Sequence, residues 1–199
     1  MTGIVTVRKL TAADAETYRE FRLRALRDSP DAFTSSFAEE AAKPLAATTE
    51  RLEPAGRPHD AVLGAFGAAG HMVGTAGLAV PPRAHERHKG RLFAMAVAKP
   101  ATGRGIGKLL VRHILGRAAA VDGLLQVGLT VSEGNLPAEG LYRSCGFEVW
   151  GREPRAIIVA GQPIAKLHMI HILTRLPGAP RMLAGTADRA ARSAGAPRR

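Results

Sequence analysis

The sequence predicts an α/β domain, with a mixed central sheet of six to seven strands and helices on both faces. Three observations carry that expectation. Apolar runs of strand length recur at Ala61–Ala68, Met72–Val80, Leu92–Val97, Leu125–Val131, Phe147–Val159 and Ala165–Leu173. A helix-period segment, Gly105–Ala120, interrupts them and spaces Ile106, Leu109, Leu110, Ile114 and Leu115 for burial against a sheet. Turn residues join neighbouring runs into hairpins, with Ala69-Gly70-His71 in one and Ala160-Gly161-Gln162-Pro163 in another.

The remaining elements follow in chain order. Thr11 with Asp14 forms a capping box in its aspartate variant. It opens a helix through about Arg27, whose apolar contributors are Tyr18, Phe21, Leu23, Ala25 and Leu26. Ser29-Pro30 stops that helix. Pro54 to His59 is a loop by composition, and Pro81 to Gly90 is another, rich in proline and charge. A chain of 199 residues can bury a single real core, and the domain is expected to span residues 4–174. Residues 175–199 are rich in Ala, Gly, Pro and Arg and are expected to form a basic flexible tail. Its six arginines and one aspartate supply nearly half of the formal charge of +11. Such a tail suits a solubilising extension; contact with nucleic acid or an acidic partner is the other reading.

The most informative stretch is Val97 to Lys108, VAKPATGRGIGK, which joins a strand to the amphipathic helix. Gly103, Gly105 and Gly107 let the backbone approach a ligand without Cβ interference. The helix start adds unpaired N–H groups and partial positive charge. Together with Arg104 and Lys108 they make a phosphate or pyrophosphate site. Two common cofactor loops do not fit. A Walker loop needs glycine and Ser or Thr where this chain has Thr102 and Leu109, and a dinucleotide fingerprint needs glycine at Lys108.

A second motif is Asn135 to Phe147, NLPAEGLYRSCGF. Pro137 suits the first turn of a short helix, Ala138, Leu141 and Cys145 share a face, and Gly146 supplies a left-handed helix stop. The glycine turn resembles the acetyl-CoA loop of the GNAT superfamily of N-acetyltransferases, and this second stretch is close to that family's N-x-x-A-x-x-L-Y-x-x-x-G-F. The two stand in the family's order and at its usual separation. Thr102 departs from the family's usual Gln or Arg, which removes one side chain but not the backbone donors.

The resemblance implies a mostly antiparallel sheet whose fourth and fifth strands splay to admit pantetheine. It implies acetyl-CoA as co-substrate, with no metal, and direct acetyl transfer to a primary amine. Backbone groups at Met95, Ala96 and Val97 would hold the carbonyl and the pantetheine arm. The N–H groups of Gly103, Arg104, Gly105, Ile106, Gly107 and Lys108 would hold the pyrophosphate, and the Asn135 amide would bond the arm. Tyr142 would act as general acid toward the departing thiolate. The family's usual strand glutamate is missing, because Arg91 to Val97 contains no carboxylate. Glu133, Glu86 or a chain of waters remain as routes for the substrate proton. The segment from Arg22 to Glu40 resembles the family's first helical hairpin, which would bring Asp31, Glu39 and Glu40 toward a cationic amine.

Several features carry little. His85-Glu86-Arg87-His88 is not a zinc helix motif, because Lys89 stands where the second histidine belongs. His168 and His171 lie three apart on a strand and face opposite sides. Cys145, the single cysteine, excludes an internal disulfide and reads as a packed residue. No apolar run is long enough to cross a bilayer and Met1 to Leu10 is short and polar, so a cytoplasmic location is expected. The expected partner is a small-molecule or peptide amine; neither membrane nor nucleic acid is expected, and a homodimer is compatible with the chain. A protein of the same fold that binds acyl-CoA or a partner with little transfer is the alternative.

Overall fold

A computed structural model describes residues 5–173. Seven strands form one sheet in the order β1-β2-β3-β4-β5-β7-β6. They are β1 Thr6–Lys9, β2 Ala61–Phe66, β3 Met72–Ala79, β4 Lys89–Val97, β5 Gln126–Ser132, β6 Glu148–Val159 and β7 Gln162–Ile172. All neighbours pair antiparallel except β4 with β5. The expected mixed, mostly antiparallel sheet is therefore present.

Five α-helices accompany it: α1 Ala15–Asp28, α2 Phe37–Ala42, α3 Leu45–Leu52, α4 Ile106–Ala119 and α5 Leu136–Arg143. Helix α4 places Ile106, Leu110, Val111, Ile114 and Ala118 in a buried cluster with Val127, Leu129 and Val131 of β5. On the other face Tyr18 and Phe21 of α1 and Leu52 of α3 pack with Val62 and Met72. α1 and α4 each bury an apolar stripe, one on either face, so the sheet is covered on both sides.

Three expectations change in detail. The β6–β7 turn is only Ala160 and Gly161, with φ of 48° and 77°, the two positive values a tight two-residue hairpin requires. Gln162 and Pro163 instead belong to β7. Pro163 is tolerated because it faces Ile158 of β6, beyond Lys166, where the pairing of β7 with β5 ends. In α1, Leu23 and Ala25 are only half-buried, while Arg22 is buried. Finally, β1 and α3 had no sequence signal of their own; β1 is short, polar and mostly exposed. The expected tail, 175–199, lies outside the described residues.

Candidate functional site

The site begins where two strands part. β4 and β5 pair only at Lys89–Gln126, Gly90–Val127 and Arg91–Gly128. Beyond Arg91 the two strands separate. On its other side β4 carries one extra residue against β3, between Phe93 and Ala96, which is a bulge. Ala94 within it has φ of 50°. The Ala98 N–H bonds the Val73 carbonyl on β3. By antiparallel alternation the Val97 N–H therefore points away from β3, toward the gap. Thr75, buried on β3, donates from its hydroxyl to the Ala94 carbonyl at 2.7 Å.

A cleft of about 740 Å3 opens at this gap. Met95, Ala96, Val97, Gly103, Gly105, Ile106, Gly107, Lys108, Asn135 and Tyr142 all line it. Of the residues expected to hold the cofactor or act as general acid, Arg104 alone is missing from the lining; it is exposed on the loop between two glycines that do line it.

The glycine turn divides into two roles. Gly103 and Gly105 have φ of 73° and 76°, and a Cβ on either would meet nothing of the protein within 4 Å. Open space beside a left-handed backbone suits the close approach of a ligand. Gly107 has a different reason. A Cβ there would meet Leu141 Cδ2 at 2.9 Å, so its absence lets α5 pack on α4. The first turn-closing bond of α4 runs from the Leu109 N–H to the Gly105 carbonyl. The N–H groups of Ile106, Gly107 and Lys108 are thus left without helical acceptors and face the cleft end. Thr102 turns its hydroxyl back to the Lys99 carbonyl at 2.8 Å, which closes the preceding turn. This cradle of N–H groups fits a pyrophosphate, and the long cleft beside it fits a pantetheine arm.

Tyr142 stands where the cleft meets a second cavity. It is 6% exposed and packs edge-on against Phe147, with centroids 5.9 Å apart. Burial pushes its pKa up, and the neighbouring Cys145 acts in the same direction. The phenol therefore keeps its proton at neutral pH. Asn135 caps α5 by accepting from the Ala138 N–H at 3.2 Å. Its carbonyl oxygen is thereby committed, and the amide NH2 is the end available to a ligand.

The second cavity, about 970 Å3, lies on the α1 face of the sheet and shares Ala32, Phe33, Met95, Thr130 and Tyr142 with the first. The carboxylates expected at an acceptor site are not in its lining. Glu133 forms a two-pronged bond with Arg152 at 2.7 Å, and that bond holds its pKa below the usual range. Glu86 sits 4.0 Å from Arg83 on the exposed loop. Glu39 closes its own helix cap on Ser36, and Glu40 pairs with Lys43 at 2.9 Å and Arg51 at 3.5 Å. Asp31 uses its backbone carbonyl to accept from the Ser132 hydroxyl.

Sequence reasoning missed the cationic and imidazole groups that line this cavity. His168 and Lys166 of β7 are two apart and so share a face. His168 pairs in register with Thr130, hydrogen-bonds Glu153 at 2.9 Å and packs against Trp150. His171 points the other way, onto Phe147 and the Gly146 carbonyl, as the strand alternation required. Arg22 of α1 also lines the cavity, stacked over Phe33 at 4.5 Å. A surface-like arginine on a helix and a histidine on a strand give no signal until the fold brings them to one wall. Among the described residues no helix is long and apolar enough to cross a membrane.

Comparison with known proteins accords with this geometry. A family model described as Acetyltransferase (GNAT) family matches residues 22–147. N-acetyltransferase 8B of Homo sapiens is 35% identical over 111 residues, a match covering 54% of this chain and 46% of that protein. The match thus spans less than half the length of that relative. Among solved structures, a ribosomal-protein-alanine N-acetyltransferase from Brucella melitensis superposes with a TM-score of 0.70 at 27% identity, covering 84% of this chain and 99% of the other. A phosphinothricin acetyltransferase of the GNAT superfamily from Sinorhizobium meliloti, solved in complex with AcCoA, gives 0.71 at 22% identity, covering 94% and 97%. At that identity the second likeness speaks for the fold.

Proposed function

We propose, from the premise that this chain belongs to the GNAT family of acetyltransferases, that it moves an acetyl group from acetyl-CoA to a primary amine by direct attack. The observation that carries this reading is the convergence of ten sequence-singled residues on one cleft at the β4–β5 gap. Residues 4–174 would make up the catalytic domain.

Acetyl-CoA supplies a thioester, and the amine displaces its sulfur, forming a C–N bond as the C–S bond breaks. The chain's own groups do the rest. Gly103, Gly105 and the first N–H groups of α4 hold the pyrophosphate. The Val97 N–H, with its neighbours on the β4 bulge, anchors the thioester end and stabilises charge that develops on its oxygen. Tyr142 donates its proton to the leaving sulfur.

The incoming ammonium must also lose a proton. His168, lining the acceptor cavity and oriented by Glu153, is the group we assign to accept it, in place of the strand glutamate. None of the expected carboxylates lines this cavity, and Glu133, Glu39 and Glu40 are held in ion pairs or a helix cap.

The test is thermal unfolding with and without millimolar acetyl-CoA, followed by thiol release over a panel of amines. Saturation at 100 times the dissociation constant adds about 2.7 kcal/mol, an obvious rise in Tm. A rise with amine-dependent thiol release supports the transferase. A rise without release from any amine favours the acyl-CoA-binding alternative, and no rise removes both.

A further inference from the structure

The charge of the acceptor cavity is one-sided. Arg22, Arg51, Lys89, Arg91 and Lys166 line it together with His168, and among the described residues no carboxylate does. Glu40 pairs with Arg51 at 3.5 Å. Two of these cations are buried and stand apart from the rest: Arg22 is 6% exposed and Lys166 is 5% exposed.

Neither Arg22 nor Lys166 has a carboxylate within ion-pair distance among the described residues. The Nε and Nη1 of Arg22 are buried without any hydrogen-bond partner. Lys166 bonds only a neutral group, the Thr34 hydroxyl, at 2.7 Å. The two side chains meet adjacent residues of one loop. Arg22 lies over the Phe33 ring, and Lys166 holds Thr34. That places both cations at the same stretch of wall.

A buried guanidinium with no carboxylate in contact is costly to the folded protein. Burial accordingly pushes the pKa of both groups down, with Glu153 opposing this at Lys166 and Tyr18 and Glu40 opposing it at Arg22. A fold retains such a pair where a ligand supplies the missing charge. A cationic polyamine or an aminoglycoside would meet repulsion here, and a plain alkylamine would leave both cations unpaired.

We propose that Arg22 and Lys166 form an anion subsite for the acceptor, which is a small amine carrying a carboxylate, such as a free amino acid. The guanidinium suits a two-pronged grip on a carboxylate, and Lys166 adds a point charge. The amine is then directed along the wall toward His168 and Tyr142, which line the same cavity. This inference rests on the transferase reading and specifies its substrate class.

The experiment compares free amino acids with the amines left by their decarboxylation, using thiol release from acetyl-CoA. Wild-type protein should favour the carboxylate-bearing member on the order of 10²-fold in kcat/KM. Arg22→Met and Lys166→Met should each shrink that ratio at least about tenfold while the acetyl-CoA thermal shift persists. Arg22→Met should also raise the Tm of ligand-free protein, because it replaces an unpaired buried charge with an apolar chain of similar length. A structural arginine would lower it. Equal rates, preference for the decarboxylated amine, or no turnover of either series by protein that binds acetyl-CoA would overturn the inference and leave the cofactor site standing. Failure to bind acetyl-CoA would take down both.

Discussion

Thr75 reaches across from β3 to hold the carbonyl of Ala94 on β4, at 2.7 Å, at the point where the two strands slip register. The bond satisfies a carbonyl that the bulge has removed from the ladder. It also pins the stretch of β4 that turns its backbone toward the cleft. Local strand geometry and the shape of the cleft thus share one hydroxyl.

Thr75→Val keeps the shape and removes that hydroxyl. It should cost about 1–3 kcal/mol, the penalty for a buried carbonyl left without a donor. For a domain of this size each kcal/mol lowers Tm by roughly 2–4 °C. Acetyl-CoA affinity should fall as well, since the bulge loses its tether. Unchanged Tm and affinity would mean the bulge stands without Thr75.

The glycines of the turn should separate ligand binding from folding. Gly105→Val forces a side chain into a left-handed conformation, at about 1–2 kcal/mol, and into open space beside the cleft. Its acetyl-CoA affinity should drop by far more than its stability. Gly107→Val should do the reverse, because its Cβ meets Leu141 at 2.9 Å. Calorimetric unfolding beside acetyl-CoA titration distinguishes the two patterns.

Acid and base should split in kinetics. Tyr142→Phe keeps the contact with Phe147 and loses the proton, so kcat should fall about 10²-fold or more with little change in acetyl-CoA affinity. His168→Gly should fall comparably and recover in part when imidazole is added. Imidazole should not help Tyr142→Phe. Absence of rescue in the histidine variant would return the proton to a water chain.

Arg8 and Asp14 form a two-pronged pair at 2.8 and 2.7 Å beside the start of α1. The Arg8 hydrogen bond is the main reason the Asp14 carboxyl falls from 3.8 to about 2. A folded value below the unfolded one stabilises above about pH 4, and the benefit disappears as pH falls through about 2. Arg8 is half-exposed, so the gain is on the order of 1 kcal/mol. The stability gap between wild type and Asp14→Asn, read from urea midpoints, should shrink from that value at pH 6 toward zero near pH 2. A gap independent of pH would assign the effect to the helix cap instead.

Chain-local features were legible without coordinates. The period of Gly105–Ala120, the glycine punctuation before it and the Pro137-to-Gly146 helix signals each depend on neighbours in sequence. They located the cleft because a cradle of backbone N–H groups is made by a contiguous segment. The same locality explains the misses. β1 is a strand because β2 supplies its partner, from Thr6 opposite Phe66 to Lys9 opposite Leu63, and its own residues carry no apolar alternation. Pro163 read as turn because its tolerance in a strand depends on where β5 ends.

The charged wall of the second cavity was beyond the sequence for a stronger reason. Arg22, Lys166 and His168 come from a helix and a strand far apart in the sequence, and each alone reads as a solvated residue. Burial, charge pairing and shared lining exist only after the chain closes. The sequence by itself carried the family resemblance and singled out the glycine turn and Tyr142 that line one cleft, because short-range backbone geometry encodes them. Only the tertiary structure decided which carboxylates were already spent on ion pairs and caps, and which cations were left facing a cavity.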